Sequence, residues 1–321
     1  MLSSNNFFDD TLILIALVSY ILIVVGAFVN RQNYIRANLW LVFVIAGAFI
    51  NFCFQLDISI DQLPKVLFYR VFDGTYKRIQ LLLLWSHSMF INFVFCGIVS
   101  SQRFSSTIYR KFFHLTGSVI ALSGIYLDPE FTRLASILSI IIYLILETCR
   151  SLSIYPYKKI LNRIFLVFID NQDTKELILT PVLLMIGLFL PIILSPVSFG
   201  QVSLKLYHFS GIALVGVGDA IAAIVGTKYG RRKWNTILPF INNSCTRRKS
   251  LEGSIAFVIG STIMLFISEY FLLRNYPITS ICVLKIITTS VVGSVIESLT
   301  NKHDNILPVV VGFIFLYNCC Y

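Results

Sequence analysis

Asp219 lies in an apolar run that begins at Tyr207, and Lys228, Arg231, Arg232 and Lys233 follow within fourteen residues. A carboxylate at bilayer depth costs about 3 kcal/mol. It therefore marks a cavity or reaction site rather than a lipid-facing helix, and the cations beyond it point to an anionic ligand. Three further clusters have the same mixed character: Arg110-Lys111-Phe112-Phe113-His114; Glu147 through Arg150 to Asp170 and Asp173; and Glu297 through Asp304-Asn305. A fourth, Lys249-Ser250-Leu251-Glu252-Gly253, follows the opening run. Carboxylates gathered with cations suit a metal–nucleotide site, where Mg²⁺ takes one or two carboxylates plus phosphate oxygens and cations neutralise what remains.

Asp219, Ala222, Gly226 and Gly230 are spaced three, four and four residues apart, so on a helix they share one face. Small residues there admit a ligand or a second backbone, and a packing face between membrane helices accounts for the glycines and the alanine equally well. Packing does not require the carboxylate. Neither GxxxxGK[ST] nor GxGxxG occurs; Gly216-Val217-Gly218 continues as Asp-Ala-Ile and lacks the third glycine. Among the four histidines, His87 and His208 read as structural, whereas His114 and His303 stand beside charged clusters. Glu269 reads as internal to the bundle or snorkelling.

These residues need a membrane scaffold. Of 321 residues, 56% are hydrophobic and 13% charged, more apolar surface than a soluble domain of this size can hide. Charge-poor windows recur at Leu12–Val29, Leu39–Leu56, Ile79–Val99, Leu115–Leu127, Leu134–Leu146, Leu177–Ser198, Tyr207–Thr227, Ser254–Leu273, Thr279–Ile296 and Ile306–Cys319. A spanning helix needs about 17–25 residues, so the fourth, fifth and tenth windows are short and must borrow flanking residues. The expectation is an all-α polytopic integral membrane protein of about ten helices. The first window lacks a basic flank and a small-residue cleavage site, and reads as a span rather than a removable signal. Seven cysteines form no CxxC, which predicts reduced packing residues rather than a metal site or disulfide framework.

The formal net charge of +10 is a matter of topology. Aromatic–basic interleaving on a soluble face is absent, so no nucleic-acid partner is expected. If helices alternate, the loops at 30–38, 100–114, 147–176, 228–253 and 297–305 share one side and hold 18 Lys and Arg, against 7 opposite, with Lys285 inside a span. The positive-inside bias makes the richer side cytosolic. Eight of the sixteen carboxylates, every one in the clusters above among them, fall on that side.

At these residues the chain resembles the dolichol kinase family, over roughly residues 107–321. The nucleotide signature DxxAxxxGxxxG followed by KKTxEG appears as Asp219, Ala222, Gly226 and Gly230, then Arg248-Lys249-Ser250-Leu251-Glu252-Gly253. Arg110 to His114, Leu146 to Arg150 with Ile154-Tyr155-Pro156, and Glu297-Ser298-Leu299-Thr300 with Asp304 to Pro308 are similar to the same family. So is Phe168-Ile169-Asp170-Asn171-Gln172-Asp173 through Thr180, which resembles dolichol kinases more than phytol, farnesol or diacylglycerol kinases. Two departures stand out: Arg-Lys-Ser replaces Lys-Lys-Thr, and the 17-residue spacer 231–247 is about twice the usual length, an insertion that loop-closure entropy tolerates.

The resemblance implies a catalytic membrane domain over 107–321, supported by N-terminal helices over 1–106. It implies CTP as phosphoryl donor, a divalent cation such as Mg²⁺, and dolichol or a related polyprenol as acceptor. It places the protein in the endoplasmic reticulum membrane with the site facing the cytosol. Catalytic candidates are Asp219, Glu297 and Asp304, with Asp219 and Asp304 as metal ligands. Nucleotide-binding candidates are Gly218, Asp219, Ala222, Gly226, Gly230, Arg248, Lys249, Ser250, Glu252 and Gly253. Candidate phosphate or acceptor contacts are Arg110, Lys111, His114, Glu147, Arg150, Asp170 and Asp173. Rival readings are a CTP-dependent kinase of farnesol, phytol or diacylglycerol, a membrane cytidylyltransferase, and a transporter.

Overall fold

A computed structural model describes residues 2–102, 107–165, 177–197, 203–237, 249–274, 278–300 and 304–317. Every one of the ten apolar windows holds a helix, as it must in hydrocarbon, where backbone N–H and C=O groups find no water and have to pair within their own segment. Among the described residues seven helices are long and apolar enough to cross a membrane: Phe7–Val29, Tyr34–Gln55, Tyr76–Val99, Pro129–Ser151, Leu206–Tyr229, Leu251–Leu272 and Ser280–Leu299. Three are shorter: Lys111–Leu127, Thr180–Leu194 and Leu307–Tyr317. The protein is a polytopic helical membrane protein, and its lipid-facing side chains are large and apolar, Phe54 and Phe93 among them. The fifth window borrows flanking residues as expected: its helix takes in Pro129 to Arg133 and Glu147 to Ser151, because flanking polar residues still form helix once the apolar stretch nucleates it. The helix of the sixth window, Thr180–Leu194, is shorter than the window itself.

The chain forms two compact units. The first takes in the chain up to Leu83 together with Leu134–Val182. Its helix Tyr34–Gln55 is capped by Asn33, whose side chain accepts from the amides of Ile35 and Arg36. Arg70, on the short helix Leu63–Val71, donates two hydrogen bonds to Asp9 at 2.8 and 2.5 Å, tying the start of the first helix to the connection that follows the second. At the other end the Asn38 amide donates to the Tyr155 carbonyl at 2.9 Å, and Ala27, Ala37, Cys149 and Ile154 share one buried cluster.

The second unit comprises Leu84–Arg133 and Leu183–Tyr321, and its axis is Leu206–Tyr229. Two thirds of that span's apolar window is buried, against at most 39% for the other long helices. Its Phe209 and Ile212 share a buried cluster with Leu188, Ile192, Leu265, Ile286 and Leu316. The span is not uniform: a 3₁₀ turn at Leu206–Phe209, a π-helical stretch at Ile212–Asp219 and an α-helix at Ala220–Tyr229 follow one another. Wide π turns inside helices recur at functional sites, and here the last π residue is Asp219. Four cysteines, at 53, 96, 149 and 282, are described and all are free thiols.

Candidate functional site

Three helix ends and the middle of Leu206–Tyr229 supply the charges of the second unit. Thr107–Leu127 carries Lys111 and His114 three residues apart, on one face. The π stretch delivers Asp219, 4% exposed, into the bundle. Lys249 precedes Ser250, the cap of Leu251–Ile267, and Glu297 stands in the last turn of Ser280–Leu299, with Asp304 a few residues on.

The contacts form two linked ion pairs. Lys111 Nζ is paired with Asp219 Oδ2, and His114 Nδ1 lies 3.3 Å from the same oxygen and 3.3 Å from the Val215 carbonyl. Lys249 Nζ lies 2.5 Å from Glu297 Oε1 and 3.6 Å from Asp304 Oδ2, and donates to the Glu297 carbonyl. Burial opposes the charge on Lys249, but the carboxylates of Glu297, Asp304 and Asp219 outweigh it and hold the ammonium above the ordinary lysine range. Lys249 is thus felt by Asp219, which joins the two pairs. Two lysines against three carboxylates leave a formal charge of −1 with His114 neutral.

Local bonds explain why Lys249 is where it is. The turn after Tyr229 is stitched to the start of Leu251–Ile267: the Leu251 amide donates to the Arg232 carbonyl at 2.9 Å, and the Trp234 amide to the Lys249 carbonyl at 3.2 Å. The Trp234 indole donates to Ser254 Oγ at 2.9 Å. The Glu252 carboxylate accepts from the amides of Arg231 and Arg232, each at 3.2 Å. Ser250 caps the helix, its Oγ accepting from the Gly253 amide at 3.2 Å. These bonds close the spacer from both ends, so its length leaves the two signature halves side by side.

The small residues line the same seam. A Cβ on Gly253 would stand 3.0 Å from the Ala222 carbonyl and 3.3 Å from Gly226 Cα, and one on Gly226 3.2 Å from Ser250 Oγ. A Cβ on Gly230 would collide with the Gly226 carbonyl and with Ser250. Ala222, Gly226, Gly230 and Gly253 therefore let two helices approach, and Gly218 packs against the Phe257 ring.

Glu147 and Arg150 belong to the first unit and form their own cluster. Arg150 grips Glu147 through two hydrogen bonds at 2.7 and 2.6 Å, Glu147 accepts from the Ile178 amide at 2.6 Å, and Arg150 donates to Asn162 at 3.1 Å. Arg248, Asp170, Asp173 and His303, together with the side chain of Arg110, lie outside the described residues. His208 is held by the Lys205 backbone and the Ser195 carbonyl, the structural role expected of it, and Glu269 is buried. Sequence reasoning did not identify Lys111 as the partner of Asp219. The signal was the Lys111/His114 spacing on an apolar helix, but a partner 108 residues away is set by packing.

Among the described residues no three His, Cys, Asp or Glu side chains converge as a metal cage. Asp219 and Asp304 are hard oxygen donors, and with Glu297 they outnumber the two lysines paired to them. They fit a divalent cation that arrives with phosphate oxygens and completes its shell with them, rather than one caged by protein alone.

No family model and no solved structure matches the chain. It is 30% identical over 264 residues to the dolichol kinase of Mus musculus, covering 76% of this chain and 45% of that protein. It is 29% identical over 198 residues to dolichol kinase EVAN of Arabidopsis thaliana, covering 61% and 33%. Dolichol kinase sec59 of Schizosaccharomyces pombe is 26% identical over 264 residues, covering 78% and 49%. The matches take in between a third and a half of the relatives' own lengths.

Proposed function

Because the chain belongs by sequence to the dolichol kinase family, we propose that it transfers the γ-phosphoryl group of CTP to the terminal hydroxyl of dolichol, giving dolichyl phosphate and CDP. One observation carries the reading: the two signature halves pack against one another at Ala222, Gly226, Gly230, Ser250 and Gly253, which brings Lys249, held by Glu297 and Asp304, within electrostatic reach of Asp219. The endoplasmic reticulum membrane is the proposed location, with this end toward the cytosol; the excess of Lys and Arg on the loops concerned supports it.

Phosphoryl transfer asks a protein for alignment and charge neutralisation more than for covalent help. Asp219 and Asp304 would hold a divalent cation, which when bound neutralises charge on the transferring phosphoryl group. Lys249, beside the capped N-terminus of Leu251–Ile267, is placed to take phosphate oxygens, which both an ammonium and a helix N-terminus favour. Glu297 or Asp304 would receive the proton released from the acceptor hydroxyl. Glu252 holds the Arg231–Arg232 backbone and so positions Lys249 from outside.

The test is Asp219→Asn in the purified protein. The variant is expected to insert and fold yet lose CTP-dependent phosphorylation of dolichol; turnover at the wild-type rate overturns the assignment.

A further inference from the structure

The pairing of Lys111 with Asp219 carries an inference that rests on the reading above, in which Asp219 binds a divalent cation. Asp219 Oδ2 is the atom both neighbours address: Lys111 Nζ holds it directly, and His114 Nδ1 stands 3.3 Å away. Both come from Thr107–Leu127, which packs along the π stretch ending at Asp219. Lys249 is committed by contact to Glu297 and Asp304. Among the described residues, Lys111 is therefore the lysine that directly neutralises this buried carboxylate.

An ammonium and a divalent cation compete for one carboxylate oxygen. Placed together they are like charges a few ångströms apart in a site shielded from water, where repulsion is strong. Lysine is suited to yield: its charge is a point on a flexible four-carbon stem, with no fixed fork to keep it on the carboxylate. We propose that Lys111 is an exchangeable counter-ion, holding Asp219 when no divalent cation does and surrendering Oδ2 when one binds, its ammonium passing to a phosphate oxygen that accompanies the cation. Lys111 is on this account a positioning residue for Asp219. Its charge makes cation binding weaker in the absence of nucleotide, so that cation and phosphates load together.

The experiment is Mn²⁺ binding to the purified full chain in detergent, without nucleotide or lipid alcohol, with free Mn²⁺ read by electron paramagnetic resonance. Lys111→Met removes the competitor and is expected to tighten Mn²⁺ binding by about fivefold or more. Lys111→Arg keeps the charge and grips a carboxylate through two donors, and is expected to weaken it by about threefold. A merely structural role moves both variants the same way. Equal or weaker binding in Lys111→Met overturns the proposal. If that variant cannot be purified, equal or tighter binding in Lys111→Arg does so. Asp219→Asn separates the layers: Mn²⁺ binding at wild-type strength in that variant refutes the cation assignment itself, whichever way the Lys111 variants move.

Discussion

Lys249→Met deletes the ammonium that Glu297 and Asp304 share while keeping a stem of similar length. Nζ lies 2.5 Å from Glu297 Oε1 and 3.6 Å from Asp304 Oδ2, so the change leaves two carboxylates facing one another without their cation. Stripping one partner from a fully buried pair costs about 3–5 kcal/mol. The Glu297 side chain is 7% exposed, but those of Lys249 and Asp304 are each 22% exposed, and solvent screens part of the loss. We expect about 2–3 kcal/mol, a roughly 30- to 150-fold fall in the folded-to-unfolded ratio. The assay is reversible unfolding in mixed detergent micelles, followed by tryptophan fluorescence. Adding Glu297→Gln to Lys249→Met is expected to recover about 1–2 kcal/mol, since the unpaired charge goes with it. The Lys249 pKa is raised on folding, so its stabilisation is present in full below the ordinary lysine value of about 10.4 and fades as pH climbs through the raised value. The Lys249→Met deficit should accordingly persist as pH rises to about 9. A deficit below about 0.5 kcal/mol, or strictly additive single and double variants, refutes the shared-cation geometry.

Two further expectations follow from the same unit. Gly253→Val places side-chain atoms against the Ala222 carbonyl and Gly226 Cα, so the helix pair must part at a cost of about 1–3 kcal/mol, measured by the same unfolding assay; unchanged stability would mean the seam is looser than described. Asn242, in the sequon Asn242-Asn243-Ser244, is expected to carry no glycan, read as the absence of a mobility shift on glycosidase treatment; a glycan there reverses the orientation proposed.

The helices were legible because hydropathy over a whole span is a summed signal, and each of ten windows does hold a helix. Their ends were less so: Pro129–Ser151 outruns its window because Glu147 and Arg150 satisfy one another within the helix, a saving that a charge count registers as a boundary. The π stretch at Ile212–Asp219 left no local mark in a run of small and aliphatic residues. Asp219 stood out because an acid in an apolar span is rare. Its pairing with Lys111 did not, because contacts over a hundred residues apart are decided by helix packing. Lys249 stood out as a nucleotide-binding candidate, but its partners Glu297 and Asp304 could not be read from the motif, whose spacing defines which residues gather and not which partners they take. The glycines were ambiguous between ligand approach and packing, and the Gly226–Gly253 contact supplies a packing role.

The central claim is tested most directly by offering the purified chain γ-labelled CTP or ATP, each with dolichol, farnesol or diacylglycerol, and following both the lipid and the nucleotide product. The account predicts label in dolichyl phosphate, CDP as the co-product, and a preference for CTP with dolichol over every other pairing. Label on another acceptor in preference to dolichol, release of pyrophosphate in place of CDP, or no transfer from CTP would contradict it.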